Sequence, residues 1–152
     1  MHQLRRTFIK LAGATIALGA GLLKSTCEAF AAAWNKAAFE AKVAAEAVKN
    51  LGASNLIDSK DVIITAPDIA ENGAVVPIAI TSKIPNTQSI AIVAEKNPFP
   101  LTSIHEIAHG AEAYISVRLK IGETSNVRAI VKADGKYYTA AKEIKVTIGG
   151  CG

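Results

Sequence analysis

Two places in the chain carry residues whose type and spacing could do chemistry. One is Cys151 in the closing stretch TIGGCG; the other is HEIAH at residues 105–109. HEIAH matches HExxH. In zinc peptidases that spacing sets two histidines on one face of a helix, with the glutamate as general base. Here Phe99-Pro100 stands just upstream, Gly110 follows His109, and an alternating strand pattern starts at Ile115, so a helix of useful length barely fits. A third protein ligand is also required. No histidine follows His109, and Glu112 or Glu123 could only be guessed at. His105 and His109 are therefore expected as surface or half-buried histidines near a strand or turn, with no metal site and no cofactor. Ser/His/Asp sets, nucleotide-binding glycine loops and CxxC pairs are missing from the sequence, so the chain is expected not to be an enzyme.

Cys151 is the stronger candidate. Gly149, Gly150 and Gly152 frame it. Glycine lacks Cβ and leaves the backbone free, so residues 149–152 are expected to form a flexible arm. Fully extended, that arm reaches about 13–14 Å. The terminal carboxylate one residue away disfavours the thiolate. The local sequence offers no base, so activation of the thiol should come from partner enzymes.

Stepping toward the N-terminus, Arg5-Arg6 with Thr7-Phe8-Ile9-Lys10 is a twin-arginine pattern. An apolar stretch from Leu11 to Leu23 and an A-x-A site at Ala29-Phe30-Ala31 complete an export signal over residues 1–31. Cys27 would leave with it; Lys24-Ser25-Thr26 is a poor context for lipid attachment there. Cys151 is then the sole cysteine of an exported chain, either a free reactive thiol or an intermolecular link. The whole chain carries 17 basic and 13 acidic residues, net +4. Removing the signal takes Arg5, Arg6, Lys10, Lys24 and Glu28, which leaves a net charge of +1. Neither a nucleic-acid surface nor a membrane span is implied.

The carrier domain is expected at 32–152: a helix at 34–51, a sandwich at 56–148 and the arm. Projected at 100° per residue, Trp34, Ala37, Ala41, Ala44, Ala45, Val48 and Leu51 share one face of that helix, and Gly52 stops it. Phe39 and Val43 fall off this face, as part of a wide core surface or as a stripe for a partner. Beyond Leu56 the period becomes two. Val76, Ile78 and Ile80 alternate with Pro77, Ala79 and Thr81; Ile115 to Ile121, Val127 to Val131 and Ile144 to Ile148 alternate likewise. Ile90–Ala94 is a continuous apolar run. Asp134-Gly135 marks a hairpin. About seven short strands predict a mainly β fold, an immunoglobulin-like antiparallel β-sandwich.

The chain resembles the SoxY family of bacterial sulfur-oxidation subunits. The likeness lies in RRTFIK, FEAKVAAEAV, APDIAENGAVVPIAI, EKNPFPL, ETSNVRAIVKADGKYYTA and the closing KVTIGGCG. The family's tail usually reads GGCGG, and this one reads GGCG; HEIAH is not part of the family pattern. The resemblance implies a periplasmic carrier that holds thiosulfate-derived sulfur covalently on Cys151. It also implies a heterodimer with a smaller SoxZ-like β-sandwich, and service by haem-containing and hydrolytic enzymes. Without its partner the chain could form a homo-oligomer or a disulfide dimer. Two other readings remain open at this point: an exported interaction module cross-linked through Cys151, and a small zinc hydrolase using His105, Glu106 and His109.

Overall fold

The computed structural model describes residues 35–147. The export signal expected at 1–31, together with Trp34, Ile148 and the closing residues Gly149, Gly150, Cys151 and Gly152, lies outside the described residues. Among the described residues, two short helices, α1 (Lys36–Glu40) and α2 (Ala44–Asn50), precede nine strands. The strands are β1 (Leu56–Asp58), β2 (Val62–Thr65), β3 (Ile69–Ala70), β4 (Val76–Ser82), β5 (Thr87–Ala94), β6 (Leu101–Glu106), β7 (Tyr114–Leu119), β8 (Ser125–Ala133) and β9 (Lys136–Val146).

They form two sheets, as the period-two patterning predicts. The larger follows the order β1-β9-β8-β5-β6, with β3 also paired to β9; the smaller is β2-β4-β7. The main ladders are antiparallel. β1 and β3 add short parallel pairings to the start and end of β9, while β2, between them in sequence, belongs to the other sheet. β8 and β9 join through Asp134 and Gly135 at φ 47° and 72°, the left-handed pair that a two-residue hairpin demands. Pro77 is tolerated in the central strand β4 because β2 pairs only from Ala79 onward.

The apolar run Ile90–Ala94 is explained by burial on both faces. Ile90 and Ile92 join Val76, Ile78, Ile80, Val127, Ala129, Val131 and Ile144 in the core between the sheets. Ala91 and Val93 point the other way, with Ile130 and Leu101, onto Ala38, Ala41, Ala47 and Ala53. Small alanines let the helices lie close to the sheet. Each fully buried isoleucine contributes about 1.5–3 kcal/mol, whereas an exposed pair such as Lys36–Glu40, at 3.6 Å, contributes about 0–1 kcal/mol. Apolar burial therefore decides this fold.

The helical segment differs from the single helix expected over 34–51. Ala41 and Val43 take extended ψ values of 137° and 135°, which breaks it in two. Asn35 caps α1 by accepting from the Ala38 N–H at 3.1 Å. Its Nδ2 donates to the Asn50 carbonyl at 2.9 Å, and Asn50 Nδ2 donates to the Ala37 carbonyl at 3.0 Å. A continuous helix would hold these asparagines about 22 Å apart. The cross-links instead fold the segment into a hairpin, which turns Ala38 and Ala47 inward rather than Ala37 and Ala45. Phe39 packs half-buried against the helix–sheet cluster, and Val43 is exposed. No helix among the described residues is long and apolar enough to cross a membrane.

Candidate functional site

The described chain ends at Thr147, four residues before Cys151. The fold holds that end tightly. Three successive backbone N–H groups are satisfied, two of them by the segment around β3 and the middle one from the opposite side. Lys145 N–H donates to the Asp68 carbonyl (2.9 Å), Val146 N–H to Thr124 Oγ1 (3.1 Å) and Thr147 N–H to the Ala70 carbonyl (3.2 Å). Lys142 Nζ reinforces the clasp by donating to the Ala66 carbonyl at 2.6 Å and pairing with Asp68 at 2.9 Å.

Gly73 closes the clasp from above. Asn72 Oδ1 accepts from the Ala74 N–H at 2.9 Å, a local turn that presents Gly73 to the strand end. Ile121 N–H donates to the Gly73 carbonyl at 2.7 Å. A Cβ at position 73 would sit 2.4 Å from the Ile121 carbonyl oxygen and 2.8 Å from Val146 Cγ1. Glycine is required here by close approach rather than by φ. The Glu71-Asn72-Gly73 signal predicts only a turn; its role as a wedge depends on β9 arriving from far along the chain. Thr124 is equally silent in sequence, because its use depends on Val146 lying opposite.

The HEIAH residues are placed at the other end. His105 and Glu106 lie on β6, and His109 lies in the turn after it. The segment is strand and turn, so the helical spacing that zinc peptidases need is not formed. His105 Nε2 lies 3.0 Å from Ser103 Oγ. His109 is exposed and lines an open cleft with Lys83, Asn86, Gln88 and Asp134. Asp134 lies in the turn before β9, so His109 stands by the start of that eleven-residue strand, roughly 35 Å of strand from Thr147 beyond its end. The four residue steps from Thr147 to Cys151 span at most about 13–14 Å, less than that separation. Among the described residues, no group of three or more His, Cys, Asp or Glu could hold a metal ion.

A second concavity, of about 770 Å³, runs beside α2 and is lined by Ala44, Ala45, Val48 and Leu56. Its charged residues are largely paired. Arg128 Nη2 and Nε both meet Glu95 Oε1 at 3.0 Å, and Arg128 Nη1 lies 3.5 Å from Thr139 Oγ1. Lys42 Nζ lies 3.3 Å from the Phe99 ring centre, a cation–π contact that fixes the break between the helices against the β5–β6 turn.

A helix-backed, two-sheet β-sandwich with a clasped terminal strand is the class of protein that these features define. The family model for "Sulfur oxidation protein SoxY" matches residues 47–151. Among solved structures, the sulfur carrier protein SoxY from Chlorobium limicola f thiosulfatophilum is 34% identical, with a TM-score of 0.61. That match covers 66% of this chain and 92% of that one. The chain belongs to the SoxY family. A chain from a structure on T cell specificity and activation by the bacterial superantigen toxic shock syndrome toxin-1 is a distant match at 11% identity and a TM-score of 0.41, covering 57% of this chain and 99% of that one. No curated protein sequence matches the chain.

Proposed function

We propose that this protein is a periplasmic sulfur carrier, exported by the twin-arginine route, that holds thiosulfate-derived intermediates on Cys151. The observation that carries this reading is the clasp at Val146 and Thr147, which holds the strand end four residues before Cys151. Family membership and the likeness to the Chlorobium sulfur carrier support it. The glycines around Cys151 make the tail a thin arm, and the sandwich is the handle that partners grip. A smaller SoxZ-like sandwich is the constant partner; haem-containing and hydrolytic enzymes act in turn.

Loading is oxidative. The Cys151 thiol and thiosulfate form a sulfur–sulfur bond, giving Cys–S–S–SO3⁻; one proton goes to water and two electrons go to the haem enzyme. Hydrolysis then splits the S–SO3 bond. Water supplies the oxygen of the departing sulfate and a persulfide stays on Cys151. The carrier contributes position and reach, and its partners contribute the bases, metals and electron acceptors.

Intact mass spectrometry tests the reading. Protein purified from its native source should carry sulfur-containing adducts on Cys151 that a reductant removes. A protein found only as free thiol or disulfide dimer, even after incubation with thiosulfate and its partner enzymes, would refute it.

A further inference from the structure

The clasp that roots the strand also presents two apolar side chains with no role inside the fold. Ile69 pairs with Lys145 while its neighbour Ala70 is buried, so strand alternation turns Ile69 outward, 57% exposed. Val75 follows the Gly73 wedge and precedes the buried Val76; it is 51% exposed. Single exposed apolar residues are ordinary. These two lie on the two segments that border Val146 and Thr147, with the exposed carboxylate of Glu71 between them in sequence and that of Glu123 next to Thr124, which accepts from the Val146 N–H. Lys145 is the cation on the strand end itself.

The chain beyond the clasp says what must cover this surface. Four residue steps lead from Thr147 to Cys151, about 13–14 Å at full extension. A catalytic centre that reaches sulfur on Cys151 must therefore lie within that distance, plus the length of the cargo. Its enzyme cannot do so without bringing its own surface against the residues around Thr147.

We propose that Ile69 and Val75, flanked by Glu71 and Glu123, form the collar by which the loading enzyme holds the carrier while Cys151 occupies its channel. The inference rests on the reading of Cys151 as the attachment site. The collar fits a channel mouth that is apolar at its lip and basic around it. The two carboxylates and the anionic cargo select the same sign of charge. The patch is small, which suits a brief encounter better than a permanent complex. A carrier that visits several enzymes needs this kind of contact.

The test uses the full chain with its partner subunit and the thiosulfate-oxidising haem enzyme of the same organism. The Ile69→Asn/Val75→Asn double variant is compared with wild type and with Ile57→Asn. Ile57 is similarly exposed, at 45%, but pairs with Tyr138 near the far end of β9. Loading of Cys151 is followed by intact mass, and alkylation by iodoacetamide reports the bare reactivity of the thiol. The double variant should lose at least tenfold in kcat/KM for loading, mostly through KM, with unchanged alkylation and melting temperature. Ile57→Asn should load like wild type. Equal loading by the double variant overturns the collar alone. So does a matching fall in alkylation, or loss of the partner subunit on size exclusion, which would assign the patch to the heterodimer. A wild-type chain that never loads instead sinks the attachment reading beneath it.

Discussion

The two ends of the sandwich carry the two stretches of sequence that could do chemistry, and they are built differently. At the end of β9, three consecutive N–H groups are satisfied and Gly73 is wedged against backbone and side chain with no room for one more carbon. At the HEIAH end, Gly110 has open space where a Cβ would be, and Ala108, His109, Ala111 and Glu112 are exposed. Packing that constrains position is concentrated at the end of β9, the end that leads in sequence to the glycines and Cys151. The histidine pair, despite its motif, sits on a strand edge and a loose turn. A motif names residue types and spacing; only the backbone beneath it decides whether they converge.

The sharpest way to break this contrast is to delete the chemistry from each end in turn. Cys151→Ser should abolish sulfur loading while leaving the melting temperature unchanged, since position 151 lies beyond the core pattern. His105→Ala with His109→Ala should leave loading within twofold of wild type. Loss of loading in the histidine variant, or loss of folding in the cysteine variant, would reverse the assignment of the two ends.

Next in size is the wedge. Gly73→Ala forces a methyl group against the Ile121 carbonyl, a backbone atom that cannot swing away. Overpacking of this kind costs about 1–3 kcal/mol. Gly122→Ala, one residue from Ile121, meets nothing within 4 Å and has no positive φ; it should change stability by less than about 0.5 kcal/mol. Urea unfolding of both variants makes the comparison. Equal midpoints would mean that the clasp yields easily and that β9 ends less firmly than its contacts imply.

Much of this was legible in sequence, for reasons that can be named. Period-two alternation at Val76–Ile80, Ile115–Leu119 and Val127–Val131 predicts strands because one face of each is buried, and Asp134-Gly135 predicts the hairpin because few residues accept two positive φ angles. β6 carries LTSIHE without clean alternation, because Thr102 to His105, which face both ways, are all partly covered; it was hidden behind the HExxH spelling. β1 and β3 are too short for periodicity to register. The broken helix was illegible for another reason. A helical projection assumes continuity, and the Asn35–Asn50 cross-links act between residues fifteen apart. The wedge and clasp share that non-local origin: Gly73 and Thr124 meet Val146 only after both sheets have formed. Cys151, by contrast, stands out by composition alone, and its proposed role as the attachment point rests on that and on the family.

The finest distinction lies within the clasp. Thr124→Val keeps the side-chain shape but removes the oxygen that accepts from the Val146 N–H. The bond is partly buried, so losing its acceptor should cost about 1 kcal/mol. Val146 exchange should quicken about fivefold under native conditions, the factor that this energy implies. Thr147 donates instead to the Ala70 carbonyl and should keep most of its protection. If both amides quicken together, the clasp opens as one unit and the end of β9 is held cooperatively. If only Val146 responds, each bond acts alone, and the Ala70 carbonyl suffices to hold Thr147 in place.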